Sequence, residues 1–114
     1  MTTEDLKIGV TTLAKWLADK KPVTILDIRP TAQREEGSIP GSVHANVYDK
    51  LKANDQNAFD SLVLEKHSPV VTVCSAGGLS LTAAEILKQN GFEAFSLEGG
   101  MKAWNISQTT HTQT

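Results

Sequence analysis

Two short runs constrain this chain more than anything else in it. "VTILDI" (23–28) and "PVVTVC" (69–74) are apolar, rich in β-branched residues and not strictly alternating in polarity. A strand with one face in water alternates apolar and polar side chains, whereas a strand covered on both faces does not. A third run, "EAFSL" (93–97), reads as the last strand. Between these runs the period changes to that of a helix. Leu13, Trp16 and Leu17 stand at i, i+3 and i+4 within "TTLAKWLADK" (11–20), and Leu79, Ala83, Ile86 and Leu87 repeat the pattern later. Strands that alternate with helices pair in parallel through crossovers, with helices on both faces. The expected class is α/β: three layers around a mainly parallel central sheet. The 114 residues fit one domain and suffice for a core without disulfides or a metal.

The remaining segments fill in the connections. Thr11 or Thr12 is the expected N-cap of the first helix. Pro30 and Thr31 open a short helix over "TAQREE", which Gly37 ends. "SIPGSVHANV" (38–47) holds a Pro-Gly turn and then a brief extended piece. Tyr48 with Leu51, and Phe59 with Leu62 and Val63, predict two short helices between residues 48 and 66. "NG" (90–91) stops the long helix, and "GGMKAW" (99–104) turns into a short one. "SQTTHTQT" is polar without an apolar period, so the domain is expected over 1–106 and a disordered tail over 107–114.

A formal charge of −2 gives no reason to propose nucleic acid or an acidic membrane as a partner. No run approaches the roughly 18 apolar residues of a membrane span, and the start "MTTEDLKIGV" lacks the apolar stretch of a signal peptide. With one cysteine the fold does not depend on an oxidising compartment, so a cytoplasmic setting is expected. Nothing calls for a cofactor. His44, His67 and His111 share no metal-ligand spacing with one another or with the cysteine.

That cysteine, Cys74, ends the second apolar run and opens "CSAGGLS" (74–80). In an open α/β sheet, ligands collect at the carboxyl ends of strands, where Asp27 and its neighbour Arg29 also fall. Ser75, Ala76, Gly77 and Gly78 are small enough for a tight curl, and the glycines tolerate positive φ. Successive amides in such a curl, joined by those of Leu79 and Ser80 at a helix start, converge into a cradle for one negative charge. Cysteine reacts as the thiolate, which such a cradle favours, as it does a persulfide anion. The plain alternative is a buried cysteine acting as a small hydrophobe above an ordinary Gly-rich turn.

Four stretches in order carry a family resemblance. "ILDIR" (25–29), "EGSIPGSVHANV" (36–47), "VVTVCSAGGLS" (70–80) and "LEGGMKAW" (97–104) together resemble a single-domain rhodanese, the sulfurtransferase family. The resemblance implies the rhodanese-like three-layer fold. It also implies a sulfane sulfur carried as a persulfide on Cys74 and passed to a thiophilic acceptor. The amides of residues 75–80 would hold the anion, and Asp27 and Arg29 would brace the loop rather than react. Implied partners are a small sulfur donor or a persulfide-bearing protein, and a thiol acceptor: a small thiol, cyanide in vitro or a thioredoxin-like protein. A monomer or weak homodimer is expected. Family loops that use thiosulfate often carry arginine just after the cysteine or just before the final serine. Here Ser75 and Leu79 stand there, Ser38 replaces a common histidine, and Gln33 and Arg34 replace a usual Glu and aromatic. Weak activity with thiosulfate is therefore expected, since a lost charge-assisted hydrogen bond costs roughly 1.5–3 kcal/mol.

Other readings stand beside this one. A catalytically weak or inactive module on the same scaffold would keep Cys74 as a relic. A redox sensor at Cys74 would need an outside thiol to resolve it. A tyrosine-phosphatase reading fails, because position 80 is serine where an arginine must grip the phosphoryl group. Glu35 and Glu36 read as a solvated helix end, His44 as half-exposed surface, and Trp16 and Trp104 as core.

Overall fold

A computed structural model describes residues 3–112. After a 3₁₀ turn (Thr3–Leu6) the elements run β1 (Lys7–Ile8), α1 (Val10–Ala18), β2 (Thr24–Asp27), α2 (Thr31–Glu35), β3 (Val43–His44), α3 (Tyr48–Lys52), β4 (Val70–Val73), α4 (Gly78–Gln89), β5 (Ala94–Leu97) and α5 (Gly100–Thr112). The sheet order is β1-β5-β4-β2-β3, with parallel pairing throughout. β4 is the central strand and every residue in it is buried. The expected α/β class with a parallel core is what the chain adopts.

The failure of the strands to alternate has its explanation in two separate cores. Leu26, Ile28, Val70 and Cys74 face one core, completed by Leu51 of α3 and Ala83, Ala84, Ile86 and Leu87 of α4. Ile25, Val71, Val73 and Leu97 face the other, completed by Leu13 of α1 and Met101 and Trp104 of α5. Neighbouring residues on a strand point to opposite faces, so apolar side chains at adjacent positions such as Ile25 and Leu26, or Val70 and Val71, mean that both faces are dry.

Three local expectations need correction. The N-cap of α1 is Gly9, in an extended conformation, and its carbonyl accepts from Leu13 N–H at 3.1 Å. Thr11 and Thr12 lie inside the first turn instead. Of the two helices expected between 48 and 66, only the first forms. From Asn54 onward the chain makes successive tight turns, with Ala58 N–H on Asp55 O and Leu62 N–H on Phe59 O. The side chain of Asp55 accepts from Asn57 N–H at 2.9 Å, the kind of local bond by which Asp and Asn compete with a helix. Phe59 still reaches the core, while Val63 is fully exposed. Lastly, α5 is longer than its apolar pattern suggests. It runs to Thr112, through the segment expected to be disordered from 107; residues 113 and 114 lie outside the described residues. No described helix is long and apolar enough to cross a membrane.

Because β2, β4 and β5 run parallel, the connections after them emerge on one edge. After β2 the chain moves outward to β3, and after β4 it moves the opposite way to β5. The diverging connections leave a crevice between the ends of β2 and β4, the switch point where such sheets bind ligands.

Candidate active site

Cys74 sits at the carboxyl end of β4 and is buried. Its sulfur belongs to the apolar cluster under α4, yet it is not purely hydrophobic in its contacts. Gly77 N–H donates to Sγ at 3.0 Å and Ser80 N–H at 3.4 Å. Of the six loop amides expected to gather round the sulfur, these two reach Sγ itself. Gly78 and Leu79 occupy the first turn of α4, where helix N–H groups have no intrahelical acceptor. The thiol donates to Ser80 Oγ at 3.3 Å, and Ser80 Oγ lies 2.7 Å from Ser96 Oγ of β5. Either hydroxyl of that buried pair can donate.

Two glycines allow this geometry. Gly77 caps α4 with φ +102, and a Cβ there would stand 3.0 Å from Gly99 N. Gly100 lies against the peptide joining Cys74 to Ser75; a Cβ on it would overlap Cys74 O and approach Ser75 C at 2.8 Å. The close approach lets α5 act on the loop. Met101 N–H donates to Cys74 O at 2.8 Å and Lys102 N–H to Ser75 O at 3.0 Å. By holding these carbonyls on the α5 side, the helix start fixes the peptide planes from which the loop turns back toward the sulfur. In the sequence, "GG" at 99–100 signals only a turn; this role depends on where α5 lands.

Beside the loop lies an ion cluster. Asp27 is buried at the end of β2, in register with Val73. Arg29 grips it with Nε at 3.0 and 3.2 Å from the two carboxylate oxygens and Nη2 at 2.7 Å from Oδ2. The Arg29 N–H adds 3.0 Å to Oδ1, and Nη2 also donates to Gly37 O at 2.6 Å. Arg34 Nη1 reaches Asp27 Oδ2 at 3.2 Å and Ser42 Oγ at 3.1 Å, and its Nη2 donates to Ser42 O. Burial alone would raise the Asp27 pKa, but the hydrogen bonds from Arg29 and the charges of both arginines outweigh it and hold the carboxyl below its ordinary value. His44 is half-buried, with Nε2 2.8 Å from Arg29 O, so that nitrogen carries the proton. It is a brace for Arg29 more than loose surface.

Ser75 points the other way. Its hydroxyl donates to Gln33 Oε1 of α2 at 2.7 Å, bridging the loops after β2 and β4. A cleft of about 390 Å³ opens beside the bridge, lined by Arg29, Gln33, Glu36, Gly37, Ser75 and Asn105. Gln33, Glu36, Ser96 and Asn105 lie outside the residues that the loop motif points to, and the cleft brings three of them together.

A thiol set in a tight backbone loop, at the switch point of a parallel α/β sheet and accepting two main-chain N–H bonds, defines the class: a parallel α/β domain with one cysteine at the end of its central strand. A sequence profile of the Rhodanese-like domain matches residues 10–107, and the chain belongs to that family. It is 36% identical over 92 residues to the thiosulfate sulfurtransferase GlpE of Pseudoalteromonas translucida, covering 80% of this chain and 81% of that protein. It is 35% identical over 77 residues to a tRNA sulfurtransferase of Desulfurococcus amylolyticus, 68% of this chain but only 14% of that much longer protein. Among solved structures, a rhodanese-like domain protein of Staphylococcus aureus superposes with a TM-score of 0.69 at 31% identity, covering 86% of this chain and 89% of that one. A rhodanese-related protein of Thermoplasma volcanium superposes at 0.73 with 24% identity, covering 89% and 91%, and shares the fold.

Proposed function

We propose that this chain is a sulfurtransferase that carries sulfane sulfur on Cys74. The Cys74 thiolate attacks the outer sulfur of a donor persulfide. A new S–S bond forms as the donor's own S–S bond breaks, and the donor's inner sulfur leaves as a thiolate that takes up a proton. An acceptor thiolate, or cyanide in vitro, then attacks the outer sulfur on Cys74 and regenerates the starting thiolate. No external oxidant is needed. The observation that carries this reading is the pair of amide hydrogen bonds from Gly77 and Ser80 to Sγ at the end of the central strand, with sulfurtransferase-named relatives beside it. The donor is a small persulfide or a persulfide-bearing protein, and the acceptor a small thiol or a thioredoxin-like protein.

Thiosulfate is the weaker donor in this reading. Its two negative charges find Ser75 and Leu79 in the loop, and Arg29 is committed to Asp27 and Gly37. Mass spectrometry of intact protein after incubation with persulfide donors tests the carrier step: one added sulfur on Cys74, lost on addition of cyanide. The absence of an adduct with every donor overturns the proposal. Thiosulfate:cyanide transfer at ordinary rhodanese efficiency overturns the donor preference. One observation favours a second reading, a non-catalytic interaction module: Cys74 is only 6% exposed and sits in the core cluster. Rapid alkylation of the native protein by iodoacetamide supports the enzyme, and labelling only after unfolding supports the module.

A further inference from the structure

Four side chains meet beneath the first turn of α4. Thr72 lies in β4 and Cys74 just past its end, Ser96 lies in β5 in register with Thr72, and Ser80 belongs to α4 itself. Thr72, Ser80 and Ser96 are fully buried beside an otherwise apolar layer. Every polar group of Ser80 has a partner outside its own helix. Its N–H donates to Cys74 Sγ at 3.4 Å, and its carbonyl accepts from Thr72 Oγ1 at 2.6 Å. Its hydroxyl lies 3.3 Å from Sγ and 2.7 Å from Ser96 Oγ. A buried hydroxyl pair adds little stability over two apolar side chains of the same shape, so folding alone does not account for this one.

Counting hydrogens shows what Ser96 contributes. With Cys74 as the thiol, S–H donates to Ser80 Oγ, and the Ser80 hydrogen can go to Ser96 Oγ. Once the thiol has lost its proton to water, Sγ can only accept, and the Ser80 hydrogen turns onto it. The 2.7 Å contact has the length of an O–H···O bond, and the hydrogen left to fill it is that of Ser96.

We infer that Ser96 is a positioning residue for the sulfur chemistry: by donating to Ser80 Oγ, it holds the Ser80 hydroxyl on the Cys74 thiolate. A hydroxyl that accepts one hydrogen bond becomes a stronger donor in the next. Ser96 therefore favours the anion through Ser80, without a bond of its own to the sulfur. The inference rests on the proposed transfer for its consequence, but ionisation can be read without transfer. Charged groups stand around the loop: Asp27, Arg29 and Arg34 after β2, Glu36 beyond α2, Lys102 at the start of α5, and Lys7 and Glu98 in the cleft beyond Gly77. Substitutions at 80 and 96 leave all of them in place.

The experiment follows the ultraviolet absorbance of the thiolate against pH, with the Cys74→Ser chain as blank. With a single cysteine, the difference reads Cys74 alone. At a given pH below full ionisation, Ser80→Ala is expected to lower the thiolate-to-thiol ratio roughly tenfold or more, the worth of a charge-assisted bond. Ser96→Ala should lower it about 1.5- to 4-fold, the cooperative share of that bond. Adding Ser96→Ala to Ser80→Ala should change nothing further. An unchanged ratio in Ser96→Ala overturns the inference, as does an equal fall in the Ser80→Ala background. Sulfur loading of Ser96→Ala should lag the parent at low pH and meet it at high pH, where Cys74 is thiolate in both. A uniform loss at every pH marks a purely structural role and also overturns it. If the ratios change as stated but Cys74 takes sulfur from no donor, the transfer proposal fails and the role of Ser96 stands. If Cys74 loads while Ser96→Ala keeps the parent ratio, the reverse holds.

Discussion

Replacing Gly100 by alanine tests whether α5 shapes the loop. Gly100 has φ +58, and its Cβ would be built into Cys74 O and within 2.8 Å of Ser75 C and O. Holding an L-residue in the left-handed region costs roughly 1–2 kcal/mol. To relieve the overlap, the start of α5 must retreat from the loop, weakening the bonds from Met101 N–H to Cys74 O and from Lys102 N–H to Ser75 O. Each such bond contributes about 0.5–1.5 kcal/mol net. The combined loss is about 2–5 kcal/mol, or a fall in Tm of about 8 °C or more for a domain near this size. Gly78→Ala is the control, since a Cβ there meets nothing within 4 Å and its φ is not positive. Urea denaturation compares the two variants, and the rate of sulfur loading on Cys74 is measured under conditions where both remain folded. Gly100→Ala should be destabilised and slow to load, while Gly78→Ala should match the parent within about 0.5 kcal/mol. If Gly100→Ala is as stable as Gly78→Ala, or loads sulfur at the parent rate, the inferred role of α5 is wrong.

Asp27→Asn leaves two arginines without their carboxylate and should destabilise by about 3–5 kcal/mol at pH 7, read by denaturant midpoint. Because the Asp27 carboxyl is held below its ordinary value in the folded chain, its contribution is complete above the unfolded pKa of about 3.9 and is lost as pH falls from there toward the lowered folded value. The Asn variant should therefore lose less stability than the parent across that acid window. Ser80→Ala strands the buried Ser96 hydroxyl and should cost about 1–3 kcal/mol, part of which Ser80→Ala with Ser96→Ala recovers; strict additivity in the double-mutant cycle would refute their coupling. Ser75→Arg places a cation beside the loop and should raise kcat/KM for thiosulfate about tenfold or more; an unchanged value would mean that the missing loop charge does not set donor preference.

Helix and strand positions were legible because their signals are local. Non-alternating apolar runs at 23–28 and 69–74 betrayed strands buried on both faces, and the spacing from Leu79 to Leu87 placed α4. The segment from 53 to 66 misled for an equally physical reason. Phe59 and Leu62 keep helical spacing, but Asn54 takes a left-handed conformation and Asp55 offers its side-chain oxygen to Asn57 N–H, which breaks the chain into turns. α5 was underestimated past Trp104 because its later residues lack an apolar stripe, and a helix already anchored by Met101 and Trp104 can extend without one.

From the order of residues alone came the layered architecture and a lone thiol followed by small residues at a strand end, since periodicity and the steric freedom of glycine act over a few neighbours. What surrounds that thiol depended on distant segments meeting. α5 holds the carbonyls of Cys74 and Ser75, β5 sets Ser96 beside Ser80, and α2 brings Gln33 and Glu36 to the rim where Arg29 lies. Hydrogen bonds and charges act only over a few ångströms, so the partners of this sulfur were chosen by the packing of the sheet that brings its strand ends to one edge.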